Sequence, residues 1–233
     1  YKIEEIELDD ATLNAIVNKD GIANWNIAKP SEEKNDEKSK PFKLSLNKLT
    51  LDNINLYFDD LKSGNTLKVE HLNHSGKGDF SSDILDYNSN TEIEKLSVAK
   101  GIVGYLKDAK LTFDSKLNID QIQKKYTFKD NKITLNDLGL LFNGFVQIPD
   151  STKTEMDVNF KADKTTFKSL LSLIPAIYSK DFDDIKSSGN LQLDGMMKGT
   201  LQGNSYPKFA LNLKVDNGQF KYPKLPTAVT DIF

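Results

Sequence analysis

Period-two alternation runs through most of this chain and limits its fold more than any other feature. Phe42, Leu44 and Leu46 alternate with polar neighbours, as do Leu67 and Val69, Leu111 and Phe113, and Leu117 and Ile119. Met156, Val158 and Phe160 follow, then Leu191 and Leu193, then Leu211, Leu213 and Val215. Successive side chains of an extended backbone point to opposite sides, so this pattern marks strands with one apolar and one wet face. Clusters of Asn, Asp, Gly and Ser between the runs supply the turns.

An internal repeat sharpens the expectation. Leu49-Thr50-Leu51-Asp52-Asn53-Ile54-Asn55-Leu56-Tyr57-Phe58 aligns without gaps with Ile133-Thr134-Leu135-Asn136-Asp137-Leu138-Gly139-Leu140-Leu141-Phe142. Leu213 to Tyr222 is a further copy, Ile6 to Leu13 a shorter one, and Leu96 to Tyr105 a degenerate one. Asp and Asn at the centre bond their own backbone and tolerate left-handed geometry. Each copy therefore predicts strand, kink or bulge, strand, with the side-chain phase reset at the kink. Recurrence at roughly 40 or 80 residues points to a stacked or extended β architecture.

Two segments depart from this pattern. Lys29 to Pro41 is charged, apolar-free and bracketed by prolines, which predicts a solvated linker. Thr165 to Ile174 carries apolar residues at 167, 170, 171 and 174, the spacing of a helix, and Pro175 ends it. The expected fold is mostly β: an extended, curved antiparallel sheet or β groove with strand-turn-strand repeats and one short α-helix near 165–178. The expected organisation is an N-terminal strand segment of the same architecture over 1–28, the linker over 29–41, and the main β domain over 42–233.

Composition excludes several functions. The 233 residues carry a net charge of −3, and all 31 basic residues are lysine. Nucleic-acid and phosphate sites lean on the planar bidentate guanidinium, so no nucleic-acid partner is expected. Without cysteine there are no disulfides and no thiolate metal or nucleophile sites. The longest apolar runs, Leu138–Phe142 and Leu170–Pro175, fall far short of the roughly 20 residues that span a bilayer. The chain opens at Tyr1 and is expected to be a portion of a longer protein, with any anchor upstream.

Candidate chemical sites are poor. His71 and His74 lie three apart after a strand, where such residues face opposite ways, so they are read as surface or loop histidines. Asp181, Asp183 and Asp184 lack the glycine and distal glutamate of a calcium loop. Asp59-Asp60 suits a hairpin turn, and no Gly-x-Ser-x-Gly or phosphate-binding loop occurs. Trp25, between Asn24 and Asn26, is read as a core anchor, with a stacking platform as the alternative. Tyr222-Pro223 and Leu225-Pro226 suit an edge-strand terminator. No catalytic residue, cofactor or metal is expected, and the chain is expected not to be an enzyme.

The C-terminal third resembles the AsmA family in its Bacteroidetes-type form. The resemblance rests on Leu173-Ile174-Pro175-Ala176-Ile177-Tyr178, Ser188-Gly189-Asn190-Leu191-Gln192-Leu193-Asp194-Gly195, Lys198-Gly199, Tyr206-Pro207-Lys208-Phe209, Asn217 to Pro223 and Leu225-Pro226. Upstream, Asn18 to Asn26 resembles an Asp-Gly-x-x-Asn-Trp element of the same family, and Gly78-Asp79-Phe80-Ser81 also fits. The resemblance implies the periplasm of a Gram-negative bacterium, with an inner-membrane anchor outside this chain. It also implies a role in outer-membrane assembly, with phospholipid or another envelope lipid, and outer-membrane assembly proteins, as partners. The wider group, with TamB- and YhdP-like proteins, is associated with β grooves that conduct lipid.

A lipid groove requires a curved sheet whose inner side is aliphatic and aromatic. Leu51, Leu56, Phe58, Leu135, Leu140, Phe142, Leu213 and Phe220 are the repeat positions expected to line it. Alternation alone does not separate such a groove from a closed sandwich in which the same residues pack on each other. Three readings follow: a lipid-binding or lipid-conducting envelope module, a scaffold domain for outer-membrane protein assembly, and an adhesin or carbohydrate-binding β domain. The resemblance favours the first.

Overall fold

In a computed structural model the described residues are 3–27, 46–150, 152–163, 165–173, 186–221 and 226–232. They form one open, curved sheet of twelve strands and one short helix. The strands are β1 (Glu5–Asp9), β2 (Thr12–Val17), β3 (Lys48–Asp60), β4 (Asn65–Lys77), β5 (Ile84–Lys100), β6 (Val103–Asp120), β7 (Lys125–Leu135), β8 (Leu138–Asp150), β9 (Lys153–Ala162), β10 (Lys186–Gln202), β11 (Lys208–Lys221) and β12 (Val229–Ile232). The helix, α1 (Phe167–Leu171), lies between β9 and β10. From β3 onward each strand pairs antiparallel with the next in sequence.

The first edge corrects the expectation of a wholly antiparallel sheet. β1 and β2 both pair parallel with β3, Glu5 to Asp9 against Lys48 to Asp52 and Thr12 to Val17 against Asn55 to Asp60. Parallel pairing needs a long return connection, which residues 18–47 provide. The charged linker 29–41 lies outside the described residues, with Phe42, Leu44, Pro175, Asp181, Asp183, Asp184 and Tyr222 to Leu225.

Left-handed residues break the strands where the repeat places its Asp-Asn pairs. Asp10, Asn53 and Asn217 have φ of 51°, 51° and 54°. Pairing shifts between Leu51/Ile54 and Ile54/Leu56, so Leu49, Leu51, Ile54, Leu56 and Phe58 all reach one face despite the three-residue step. His71, Asp108 and Asp130 adopt the same conformation in β4, β6 and β7, where no repeat was recognised. Four of these bulges are closed by a side chain on a neighbouring strand. The backbone N–H of Asn53 donates to Asn73 Oδ1 (2.8 Å), His71 to Asn55 Oδ1 (3.1 Å), Asp108 to Ser97 Oγ (2.9 Å) and Asp130 to Asn143 Oδ1 (2.7 Å). At these four bulges the freed backbone donor is thereby satisfied without water.

One copy of the repeat folds differently. Asn136 (φ 51°) and Asp137 form the turn of the β7–β8 hairpin, with Leu135 opposite Leu138. A left-handed Asn serves a two-residue turn as well as a bulge. The helix is shorter than 165–178, and residues 174–178 lie outside the described set. Thr166 caps it in a capping box with Ser169.

Candidate functional site

Directly paired residues share a face, so the register shows what each face carries. One row across the sheet reads Ile54, Leu72, Ile93, Leu111, Leu135 and Leu138. Another reads Leu56, Val69, Leu96 and Ala109, and a third Leu117, Phe128, Gly144, Val158 and Met197. The opposite face carries Lys48, Lys68, Glu70, Asp114, Asp157, Lys198 and Lys214, with ion pairs such as Lys198–Asp157 (2.6 Å) and Lys132–Asp163 (2.9 Å). Exposed pairs of this kind stabilise little and chiefly keep that face wet.

The sheet bends toward its apolar side. Phe113 of β6 stacks on Phe142 of β8 with centroids 5.8 Å apart, across the intervening β7. Phe160 of β9 approaches Phe209 of β11 at 6.4 Å over Gly195, where an added Cβ would lie 2.4 Å from the Phe160 ring. Unconverged side chains two strands apart would sit about 10 Å from each other. Gly144 (φ +132°) allows β8 to approach β9 so closely that a Cβ there would meet Asp157 O at 1.9 Å. The result is an apolar trough.

The eight groove candidates all face this trough. Leu51, Leu56, Phe58, Leu135, Leu140, Phe142 and Phe220 are half-buried, and Leu213 is 50% exposed. They are not equivalent. Leu138, Phe167, Leu191 and Val215 form a buried cluster where α1 lies on β8, β10 and β11, and Leu140 and Phe220 pack against it. Leu51, Leu56 and Phe58 lie on β3, and among the described residues no element of secondary structure covers them.

Trp25 corrects the core-anchor reading: it is 54% exposed and tilts over Phe58 at 6.2 Å. The loop that delivers it also finishes the sheet edge. Asn18 Oδ1 accepts from the Asp20 and Ile22 backbones, and Gly21 takes φ 87°. Asn24 Oδ1 accepts from Ile16 N (3.0 Å), and its amide donates to Asn14 O (2.9 Å). The Asp-Gly-x-x-Asn-Trp element is thus an edge cap that sets an indole on the trough rim.

A polar seat interrupts the trough. His74 lies on the apolar face between Leu51 and Thr91, not on the surface as the sequence suggests. Its Nδ1 pairs with Thr91 Oγ1 (2.8 Å) and its Nε2 with Tyr87 Oη (2.7 Å), over Gly76, where any Cβ would strike Tyr87. Burial pushes the imidazole below its ordinary pKa and the Tyr87 phenol above its own. Ser89 and Ser115 pair beside it at 2.7 Å. His71 is exposed on its bulge and bonds Asn53 Oδ1 (2.7 Å). Only the sparse Thr and Ser positions within the apolar alternation could have signalled this seat.

Asp60 takes the turn role that the sequence predicts. Its Oδ1 accepts from the Lys62 and Ser63 backbones, and the Ser63 bonds hold its carboxyl below the usual range. Among the described residues no three His, Asp or Glu gather as metal ligands, and no helix is long and apolar enough to cross a membrane. No family model, curated protein or solved structure matches the chain.

Proposed function

We propose that this chain is a lipid-binding part of a bacterial envelope protein, holding acyl chains along the apolar trough. The observation that carries this is the single-faced sheet: an apolar surface crosses the strands, and among the described residues only α1 and short loop contacts cover it. An acyl chain laid there would replace water at about 0.8 kcal/mol per buried methylene. In the polar seat His74 has both ring nitrogens engaged. Of Thr91 and Tyr87, the hydroxyl that accepts the imidazole N–H therefore keeps its own proton to donate to a headgroup or ester oxygen entering from the trough. The AsmA-like residues at both ends of the chain support a periplasmic location, an anchor outside this chain and a part in outer-membrane upkeep.

Trp25 supplies the test, being the sole tryptophan and half-exposed on the rim. Titration with phospholipid vesicles should shift its emission to the blue, and native mass spectrometry should find co-purified phospholipid. Phe58→Asp should abolish both while circular dichroism stays that of a strand-rich protein. A folded wild-type chain that is lipid-free and unresponsive to vesicles would sink the reading.

A further inference from the structure

The two edges of the sheet are finished differently. At the β2 edge, Ala23 bridges Val17, and Asn24 occupies backbone groups of Asn14 and Ile16. At the other edge, β12 engages β11 only at Gly218 and Phe220. Among the described residues nothing pairs with the outer side of Lys208 to Asp216. Phe209, Leu211 and Leu213 are 59%, 49% and 50% exposed there, so the apolar face runs out to an unfinished edge. No proline and no trough-facing charge lies within 208–216. Its charges, Lys208, Lys214 and Asp216, all stand on the wet face, where a partner of matching charge pattern can pair with them.

We propose that this free edge pairs antiparallel with the same edge of a second copy, on a two-fold axis through Asn212. Faces match only when odd residues meet odd ones, which requires an axis through a residue. An axis through Leu211 would set Lys208 against Lys214, two like charges. An axis through Leu213 would need Gly218, which β12 already holds. An axis through Ala210 brings in Pro207, which has no N–H to give. The Asn212 axis uses the free segment alone. It sets Leu211 against Leu213, Phe209 against Val215, and Lys208 against Asp216 twice, by symmetry. Asp216 now bonds Lys214 of its own strand at 2.8 Å and is partly exposed, so its carboxylate is available for exchange. Because a two-fold pairing uses the same edge of both copies, it consumes that edge and closes at two. At the opposite edge β2 is capped by Asn24. The inference does not depend on lipid binding.

The test is the oligomeric state of the 233-residue chain by light scattering across a concentration series, where a dimer is expected. Directly opposed residues lie about 4.5–5.5 Å apart between Cα atoms, within disulfide reach. The native chain has no cysteine, so Asn212→Cys should give a clean interchain disulfide on mild oxidation. Leu211→Lys, at a half-exposed site, should leave a folded monomer. Lys208→Asp should weaken the dimer about tenfold, and adding Asp216→Lys should restore it, because opposed charges are exchanged in pairs. A wild-type chain monomeric at every concentration reached would overturn the proposal. So would a dimer that survives Leu211→Lys, or one that position 212 fails to cross-link.

Discussion

Where α1 lies on β8, β10 and β11, alternating side chains have become a dry core: Leu138, Leu191 and Val215 are at most 8% exposed. Along β3 the same alternation leaves Leu51, Leu56 and Phe58 half-buried, with Trp25 tilted over the rim. Strand pattern and residue types are shared between the two regions. In the open span Ile54 (1% exposed) and Val69 (5%) are buried by the curved sheet and its side chains without a helix, and the residues around them stay half-buried for want of one. The covered end derives its stability from filled volume. The open span derives its shape from backbone devices, namely bulges closed by Asn and Ser side chains and glycines under aromatic rings.

The comparison is broken most directly at the covered end. Phe167→Ala removes the ring that joins α1 to Leu191 and Phe220, and should cost about 3–5 kcal/mol in urea denaturation. If it costs no more than a trough substitution, the covered cluster is not the core. Gly144→Ala should destabilise by about 3 kcal/mol, since φ of +132° and an Asp157 oxygen 1.9 Å from the new Cβ add strain to a clash. A near-neutral result would mean that the open span does not depend on its backbone curvature. Asn53→Ala places an alanine in left-handed geometry and removes the bonds to Asp10 and His71, for about 1–2 kcal/mol. Phe58→Ala, half-buried in the open span, should cost only about 1 kcal/mol by the same denaturation.

The smallest effect concerns pH. Desolvation lowers the His74 pKa in the folded chain, so protonation favours the unfolded state. Its contribution is constant above the unfolded histidine value and declines as pH falls through that value toward the folded one. Melting temperature should therefore drop on mild acidification, and His74→Gln should flatten that part of the profile. An unchanged profile in the variant would show that His74 is not desolvated in the trough.

Much of this was legible in the sequence. The Asp52-Asn53 and Asp216-Asn217 pairs announced left-handed breaks, and the phase reset at Asn53 puts Leu51 and Ile54 on one face as the repeat requires. Asn136-Asp137 resisted the same reasoning because a left-handed Asn suits both a bulge and a hairpin turn. Which one forms depends on whether the next strand continues outward or returns, as Leu138 does against Leu135. The bulges at His71, Asp108 and Asp130 were illegible because their caps, Asn55, Ser97 and Asn143, sit on other strands. His74 was misplaced for the same reason: the bulge at His71 shifts the face of every residue after it.

The strict succession of strands from β3 to β12 has a kinetic consequence. Nearly every pairing joins strands adjacent in the chain, so contact order is low for an all-β protein. Folding can therefore begin at any hairpin and zip outward, in the manner of a linear repeat array. β1 and β2 are the exception, since they join β3 only after residues 18–47 have closed a long loop. They should dock last and exchange their amide protons first, leaving the trough to assemble before its Trp25 rim.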